Sequence, residues 1–140
     1  MAPLWQRLIP KYGNYGGPGW SGGAMMDDYS EVDWSVVPSD SLDWLFHCHD
    51  KVYQKAIEQE INKEITDKEM TKLWLGGDKV LVDGINLLSN NPKEWPLPPT
   101  INSNRYAWFY RKIALAAFWS RVNFYFWSRE HCRHRKRHCK

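Results

Sequence analysis

Two adjacent residues, His49 and Asp50, have the side-chain types that acid–base and metal chemistry require. They lie in the segment LFHCHDKVY, where apolar residues recur at helical spacing. Histidine can exchange a proton near neutral pH, and a carboxylate can bind a cation. Adjacent residues of a helix point about 100° apart, so both side chains could edge one cleft while facing different targets. The pair therefore suggests one residue as a base and the other as a metal ligand.

A glycine-rich stretch, YGNYGGPGWSGG from Tyr12 to Gly23, is the second candidate feature. Glycine permits positive φ and lets a ligand approach the backbone, but it costs about 0.5–1 kcal/mol relative to alanine in ordinary structure. Alone, such a loop is usually a cluster of turns, and a single His-Asp pair is usually a satisfied polar pair. The combination of the two features is what favours a functional site.

Together, these two features resemble the phospholipase A2 family. The stretch YGNYGGPGW looks like that family's calcium loop, and it is especially similar to the Y-x-G-P-G form found in the capsid-borne phospholipase domains of parvoviruses. The helix also matches that branch, whose pattern P-x-x-x-x-D-x-x-x-x-x-H-D-x-x-Y fits Pro38, Asp43, His49, Asp50 and Tyr53. The resemblance covers roughly residues 10–88, and two motifs in the right order are more specific than either alone.

The resemblance implies calcium-dependent hydrolysis of the sn-2 ester of glycerophospholipids at a membrane surface. Calcium takes six to eight oxygen ligands, and those implied here are the carbonyls of Tyr15, Gly17 and Gly19 with the carboxylate of Asp50. His49 would be the base that activates water, and the Gly17 N–H would point at the developing oxyanion.

The implied partner of His49 is a carboxylate that fixes its tautomer. The secreted branch of the family carries an aspartate where this chain has Ile113, in KIALAAF. The parvovirus-like branch has an A-D-x-x-L-L segment, which GDKVLVDGI fits, so Asp78 is the predicted partner and Asp83 the second candidate. Tyr53 is more often a core residue, although its hydroxyl could brace Asp78.

The elements that must position these residues are mainly helical. Capping chemistry at Ser39 or Asp40 and an apolar stripe predict a helix over residues 41–61. The charged segment that follows is predicted to be either a continuation of this helix or a helical connection, and in both cases to stop at Gly76-Gly77. A second helix is predicted in DKVLVDGINLLSNN, and VDWSVV is a candidate strand. The predicted organisation is a phospholipase A2-like core over 1–91, a proline-rich connection over 92–102, an aromatic helix over 103–128 and a basic tail over 129–140.

Composition narrows the class of protein. The 140 residues are 43% hydrophobic and include nine tryptophans, which excludes a disordered chain. Three cysteines cannot form the multi-bridge framework of a small secreted scaffold, and Cys48 is expected to be buried. No signal peptide is evident and the longest apolar stretch is too short to span a bilayer, so an intracellular or virion-associated location is favoured over secretion.

Six of the 19 Lys and Arg residues lie in the last twelve positions, REHCRHRKRHCK. This tail is expected to be solvated and disordered, with anionic lipid or another polyanion as candidate partner. A zinc set and a Cys132–Cys139 bridge remain alternatives, and the zinc candidates are His131, Cys132, His134, His138 and Cys139. Leu4, Trp5 and Trp20 are candidates for a lipid-facing collar, with a packed N-terminal segment as the equal alternative.

Two other functions stay open at this point. A catalytically silent relative could use the same fold and aromatic surface to bind lipid or protein. Alternatively, the helical body could be structural and the basic tail could bind nucleic acid or direct nuclear import.

Overall fold

The computed structural model describes residues 11–17, 20–25, 31–100 and 104–138, with side chains in the last range only for 106–123. Within these ranges the chain is mainly helical. A two-stranded hairpin precedes three helices. The strands are β1 (Trp20–Ser21) and β2 (Ala24–Met25), and the helices are α1 (Ser41–Ile61), α2 (Asp67–Leu87) and α3 (Asn104–His138). A short 3₁₀ turn, Pro92–Glu94, lies in the connection between α2 and α3.

Helix α1 begins and ends where the sequence predicts, because its cap and stripe are both strong. The Asp40 side chain accepts the Asp43 N–H at 2.8 Å and so satisfies one of the free donors of the first turn. One stripe of α1 recurs at steps of three and four residues and faces the other helices: the buried Leu42, Phe46, His49 and Ala56, with the half-buried Tyr53. A neighbouring stripe faces the glycine loop: Asp43, His47 and Asp50.

Helix α2 differs from the sequence prediction. The Thr66 hydroxyl caps it by accepting the Glu69 N–H at 3.2 Å, and the helix then continues through Gly76-Gly77 instead of ending there. The prediction was wrong because the buried face formed by Asp78, Leu81, Val82 and Ile85 outweighs the low helix propensity of two glycines.

Helix α3 packs on α2 and contributes to the same core. The Arg111 guanidinium donates to the backbone carbonyls of Ile85 at 3.0 Å and Leu88 at 2.9 Å, so it satisfies acceptors that the end of α2 leaves free. The helix continues to His138 rather than ending near Ser128, so residues 129–138 of the segment expected to be a disordered tail have a helical backbone.

The chain before α1 is held down by the first turn of that helix. The Asp43 carboxylate accepts the N–H groups of Asn14 and Tyr15 at 2.9 Å each and that of Ser39 at 2.8 Å. The predicted strand VDWSVV does not form; its residues are turn and irregular structure, and the Tyr15 hydroxyl donates to the Val36 carbonyl. The backbone groups of this segment are therefore bonded to side chains and within a turn, where the Val36 N–H donates to the Asp33 carbonyl at 3.3 Å, instead of to a partner strand.

The hydrophobic core joins the loop to the helices. Its buried members are Tyr12, Tyr15, Val32, Leu42, Phe46, Leu81, Ile85, Trp95, Ala107 and Ala114. The Tyr12 hydroxyl donates to Asp40, which buries a polar group with its partner. Among the described residues, no helix is sufficiently long and apolar for a membrane crossing.

Candidate active site

The centre of the site is a contact between α1 and α2. His49 Nε2 lies 2.6 Å from Asp78 Oδ1, and both residues are buried, Asp78 completely. Asp78 reaches this position because it shares the buried face of α2 with Leu81, Val82 and Ile85, and that face packs on the stripe of α1 that carries His49. The contact assigns the ring proton of the neutral imidazole to Nε2, so Nδ1 is unprotonated and carries the free lone pair.

Asp83, the second candidate for the partner of His49, lies on the other side of α2. Its carboxylate is exposed and accepts from Lys79 Nζ at 3.0 Å, one turn earlier. An exposed pair of this kind contributes little to stability. Of the two candidate partners, only Asp78 is therefore in contact with the histidine.

Two more side chains contact Asp78. The Tyr53 hydroxyl donates to Oδ1 at 2.7 Å, and Arg121 Nη2 lies 3.3 Å from Oδ2. The Arg121 group also donates to the Tyr53 hydroxyl at 3.1 Å. Burial raises the pKa of the Asp78 carboxyl, but the His49 and Tyr53 hydrogen bonds and the Arg121 charge outweigh burial, so the pKa lies below its usual value. Asp78 is thus held ionised.

The pKa of His49 is raised by its surroundings. Burial opposes protonation of the ring, yet hydrogen bonds and charges from Asp50 and Asp78 favour it and outweigh burial. His49 Nδ1 lies 3.7 Å from Asp50 Oδ1, so the second ring nitrogen faces the other carboxylate. The imidazole therefore stands between two acidic groups with different partners.

Asp50 faces the glycine loop. Its Oδ2 accepts a hydrogen bond from the Ser21 hydroxyl at 2.8 Å, which links α1 to β1. Burial raises the pKa of this carboxyl above its usual value, although the His49 and Ser21 contacts act in the opposite direction. A cation beside Asp50 would remove that penalty on the ionised form.

A cavity of about 380 Å³ opens beside His49 and Asp50. Most of its lining is apolar, and one wall comes from the loop while another comes from α3. The lining residues are Tyr15, Gly17, Phe46, His49, Asp50, Tyr53, Tyr110, Ile113, Ala114, Ala117, Phe118 and Arg121. An elongated apolar group could occupy such a space with its polar end near His49 and Asp50.

The loop residues at the cavity can be tested for a calcium ion. Tyr15 and Gly17 line the same cavity as Asp50, and Gly17 has a φ of 123°, which an L side chain would rarely adopt. The Gly17 carbonyl accepts the Trp20 N–H at 3.1 Å and retains a second lone pair. Gly19, the third predicted carbonyl ligand, lies outside the described residues.

The donor set fits calcium in kind, because it combines backbone oxygens with one buried carboxylate. The part of the chain that the structure describes contains no cluster of three or more His, Cys, Asp and Glu side chains suited to a metal. A cation here would therefore depend on the loop carbonyls, with Asp50 as the charged ligand.

Several residues of the site were not predicted from the sequence. Ser21 and Arg121 contact the two acidic residues from distant segments, and Phe118 places its ring edge-on to His49 with centroids 5.0 Å apart. Tyr53 could be named from the sequence because it lies one turn after His49 on the same helix. The local sequence does not mark the contacts of Ser21, Arg121 and Phe118, which come from other segments of the fold. Cys48, expected to be buried, is exposed, because it lies on the side of α1 opposite to both buried stripes.

The other predicted positions are only partly described. Trp20 is half-buried; its Nε1 donates to the Gly13 carbonyl at 2.9 Å, and the Lys11 ammonium lies 4.9 Å from its ring centroid. Leu4 and Trp5 lie outside the described residues. The zinc candidates and the Cys132–Cys139 bridge of the basic segment fall where no side chains are described.

Comparisons of this chain with protein-family models, with curated proteins and with solved structures found no match. The functional argument therefore rests on the geometry of the site and on the two motifs.

Proposed function

We propose that this chain is a calcium-dependent hydrolase resembling phospholipase A2, which cleaves the sn-2 ester of glycerophospholipids at a membrane surface. The observation that carries the proposal is the 2.6 Å contact of His49 with Asp78, next to Asp50 and at the wall of an apolar cavity. The finer fold assignment, a phospholipase A2-like core with an additional C-terminal helix, belongs to the same proposal.

Asp78 acts on the reaction through His49. By accepting a hydrogen bond from Nε2–H it keeps Nδ1 unprotonated, and its charge stabilises the imidazolium that forms during the reaction. Tyr53 holds the same carboxylate oxygen and so restricts its rotation. His49 can therefore act as a general base on the side of the ring that faces Asp50 and the cavity.

The reaction balances with water as the second substrate. A water molecule loses a proton to His49 Nδ1 while its oxygen bonds to the ester carbonyl carbon. The tetrahedral intermediate then releases the glycerol oxygen, which takes the proton back from Nδ1. The products are a free fatty acid and a lysophospholipid.

The glycine loop and Asp50 would hold the calcium ion through the carbonyls of Tyr15, Gly17 and Gly19 and the carboxylate. When bound, the ion supplies Lewis-acid polarisation of the ester carbonyl and charge compensation for the phosphate. The Gly17 N–H is the proposed donor to the oxyanion.

The position of cleavage tests this proposal. Phospholipid labelled at either the sn-1 or the sn-2 acyl chain is incubated with the protein and calcium, and free fatty acid is measured. We expect release from the sn-2 position, and its loss in His49→Gln. Equal release by wild type and His49→Gln, or release from sn-1 alone, would contradict the assignment.

A lipid-binding module without catalysis is the second candidate. The observation that favours it is the apolar lining of the cavity, which would hold an acyl chain whether or not the ester is cleaved. Retention of phospholipid without hydrolysis under calcium would support this function. Salt-sensitive nucleic-acid binding that disappears with residues 129–140 would instead support the basic-tail module.

A further inference from the structure

Arg121 joins the candidate site to a helix that neither sequence motif includes. It lies on α3, and its side chain is 53% exposed, whereas Asp78, which it contacts, is fully buried. Its Nη2 group lies 3.3 Å from Asp78 Oδ2 and donates to the Tyr53 hydroxyl at 3.1 Å. A single guanidinium nitrogen therefore contacts two residues that hold the His49 ring.

The two oxygens of Asp78 have different partners. Oδ1 is shared by His49 and Tyr53, while Oδ2 has no hydrogen-bond donor among the described residues apart from the ion-pair contact with Arg121. A buried carboxylate oxygen without a partner is costly, so this contact decides how the carboxylate is oriented. Rotation of Asp78 toward any other donor would weaken its bond to Nε2.

Packing reinforces the same arrangement. The Arg121 guanidinium lies 5.7 Å from the ring centroid of Phe118, and Phe118 in turn packs edge-on against His49. The Tyr53 ring packs on His49 with centroids 4.3 Å apart. Arg121 thus contacts both the carboxylate and one of the aromatic walls of the histidine.

We propose that Arg121 is a positioning residue, which completes the site from α3 by fixing the Asp78 carboxylate and the Tyr53 hydroxyl in the arrangement that orients His49. Its catalytic consequence rests on the proposed function, but the positioning of His49 does not. The competing role for Arg121 is recognition of the substrate phosphate, since it is the only Lys or Arg among the described residues of the cavity wall.

Three variants separate these roles. Arg121→Met keeps the apolar stem beside Phe118 and removes the charge and the donors. Arg121→Lys restores the charge and a donor. Lys112→Gln is the matched control, because Lys112 is an exposed cation of the same helix that lies over Trp108 and does not line the cavity.

The first measurement is the downfield imidazole N–H resonance of His49 in the proton NMR spectrum, assigned by its loss in His49→Gln. It reports on the hydrogen bond to Asp78 and needs no activity. We expect Arg121→Met to shift or broaden this resonance, Arg121→Lys to restore it in large part, and Lys112→Gln to leave it as in wild type. An unchanged resonance in Arg121→Met would overturn the proposal, whatever the protein hydrolyses.

The second measurement is kcat and KM with a short-chain, soluble phospholipid. We expect Arg121→Met to lower kcat about tenfold, at the low end of the effect of losing a hydrogen bond to a charged group, because Arg121 is half-exposed. KM should change by less than about twofold, and Arg121→Lys should recover most of kcat. A raised KM with unchanged kcat would assign Arg121 to the headgroup and overturn the positioning role.

A protein that hydrolyses no phospholipid, yet shows the expected NMR changes, would refute the proposed function and leave the positioning of His49 supported. If Arg121→Met does not fold, Arg121→Gln takes its place, because it also removes the charge but keeps a polar side chain at this half-exposed position. A shifted or broadened resonance in Arg121→Gln supports the proposal, and an unchanged one contradicts it.

Discussion

His47 and His49 lie two residues apart on α1, and their surroundings move their pKa values in opposite directions. Burial lowers the pKa of His47, and Lys51 lowers it further. His49 is also buried, but Asp50 and Asp78 more than compensate and raise its pKa. His47 faces Tyr15 and Trp34 edge-on, so no carboxylate offsets its burial to the same degree.

We expect the two histidines to titrate on opposite sides of the usual histidine pKa of about 6.5 in the calcium-free protein. His49 should keep its proton above that pH and His47 should lose its proton below it. An NMR titration of the ring protons measures both in one sample. Since the base must be unprotonated, a raised pKa would also move the rise of any hydrolytic activity to higher pH. Coincident midpoints would show that Asp50 and Asp78 do not act on His49 as the geometry indicates.

Asp78 and Asp83 provide a matched pair of substitutions on α2. Asp78→Asn replaces an acceptor with an amide that can rotate its donor toward Nε2 and so favour the wrong tautomer, and we expect turnover to fall by about a hundredfold or more. Asp83→Asn removes an exposed charge and should leave turnover near that of wild type. Calorimetric titration should give similar calcium affinities for both, because neither aspartate faces the loop. Equal losses of turnover would contradict the Asp78 assignment.

The choice between these two aspartates could be predicted from the sequence, because it depends only on helical register. Asp78 shares a face with Leu81, Val82 and Ile85, whereas Asp83 does not. Arg121 and Ser21 could not be found in this way. Their contacts join segments far apart in sequence, and only the packing of α3 and the hairpin against α1 brings them to the site.

At the scale of elements, the loop is held by α1 rather than by its own hydrogen bonds alone. Asp43 accepts three backbone N–H groups from Asn14, Tyr15 and Ser39. This contact explains why an aspartate stands six residues before His49: it fixes the loop against the same helix that carries the proposed base and metal ligand. The carbonyls of the loop and the carboxylate of Asp50 thus share one rigid support.

Two glycines should respond to alanine in opposite ways. Gly13 has a φ of 52°, and an added Cβ would overlap the Asp43 carboxylate, so Gly13→Ala should destabilise the protein by about 1–3 kcal/mol. Gly76 lies inside α2 with nothing within 4 Å of an added Cβ, so Gly76→Ala should stabilise it by about 0.5–1 kcal/mol. Denaturant unfolding measures both. Destabilisation by Gly76→Ala would contradict the open surroundings of this glycine.

The continuation of α2 through Gly76-Gly77 could not be predicted from the local sequence. Two consecutive glycines favour the end of a helix, but Gly77 packs beside Val52 of α1, where an added Cβ would lie 3.0 Å from a methyl carbon. Close approach of the two helices thus accounts for a small residue at position 77. The sequence contains the two glycines but does not show that Val52 packs against one of them. A glycine pair that ends a helix therefore cannot be distinguished, from sequence alone, from one that lets two helices approach closely.

At the scale of the whole molecule, α3 connects the site to the basic end of the chain. Its first half contributes Ala107 and Ala114 to the core, and Ile113, Phe118 and Arg121 to the cavity wall. Exposed aromatic residues, including Trp108 and Trp119, lie on the same helix. The proposed membrane-contacting surface therefore lies along α3, from the cavity wall toward the Lys and Arg residues of positions 129–140.

Deletion of residues 129–140 tests that arrangement. Each Lys or Arg near an anionic surface adds about 1 kcal/mol of attraction, so deletion should weaken binding to anionic vesicles. Turnover of a soluble short-chain substrate should stay unchanged, because the described site residues all precede position 122. Co-sedimentation with anionic and with neutral vesicles measures the difference. Equal binding of the two proteins to anionic vesicles would remove the basic segment from the membrane contact.

The most direct test of the central proposal is release of fatty acid from mixed phospholipid vesicles, measured with calcium and with a chelator that removes it. The account predicts release with calcium, no release with chelator, recovery when calcium is restored, and no release by His49→Gln under any of these conditions. Asp50→Asn should need far more calcium for the same rate, since it loses the only charged ligand. Release that persists in chelator, or no release by wild type with calcium at any vesicle composition, would contradict the account.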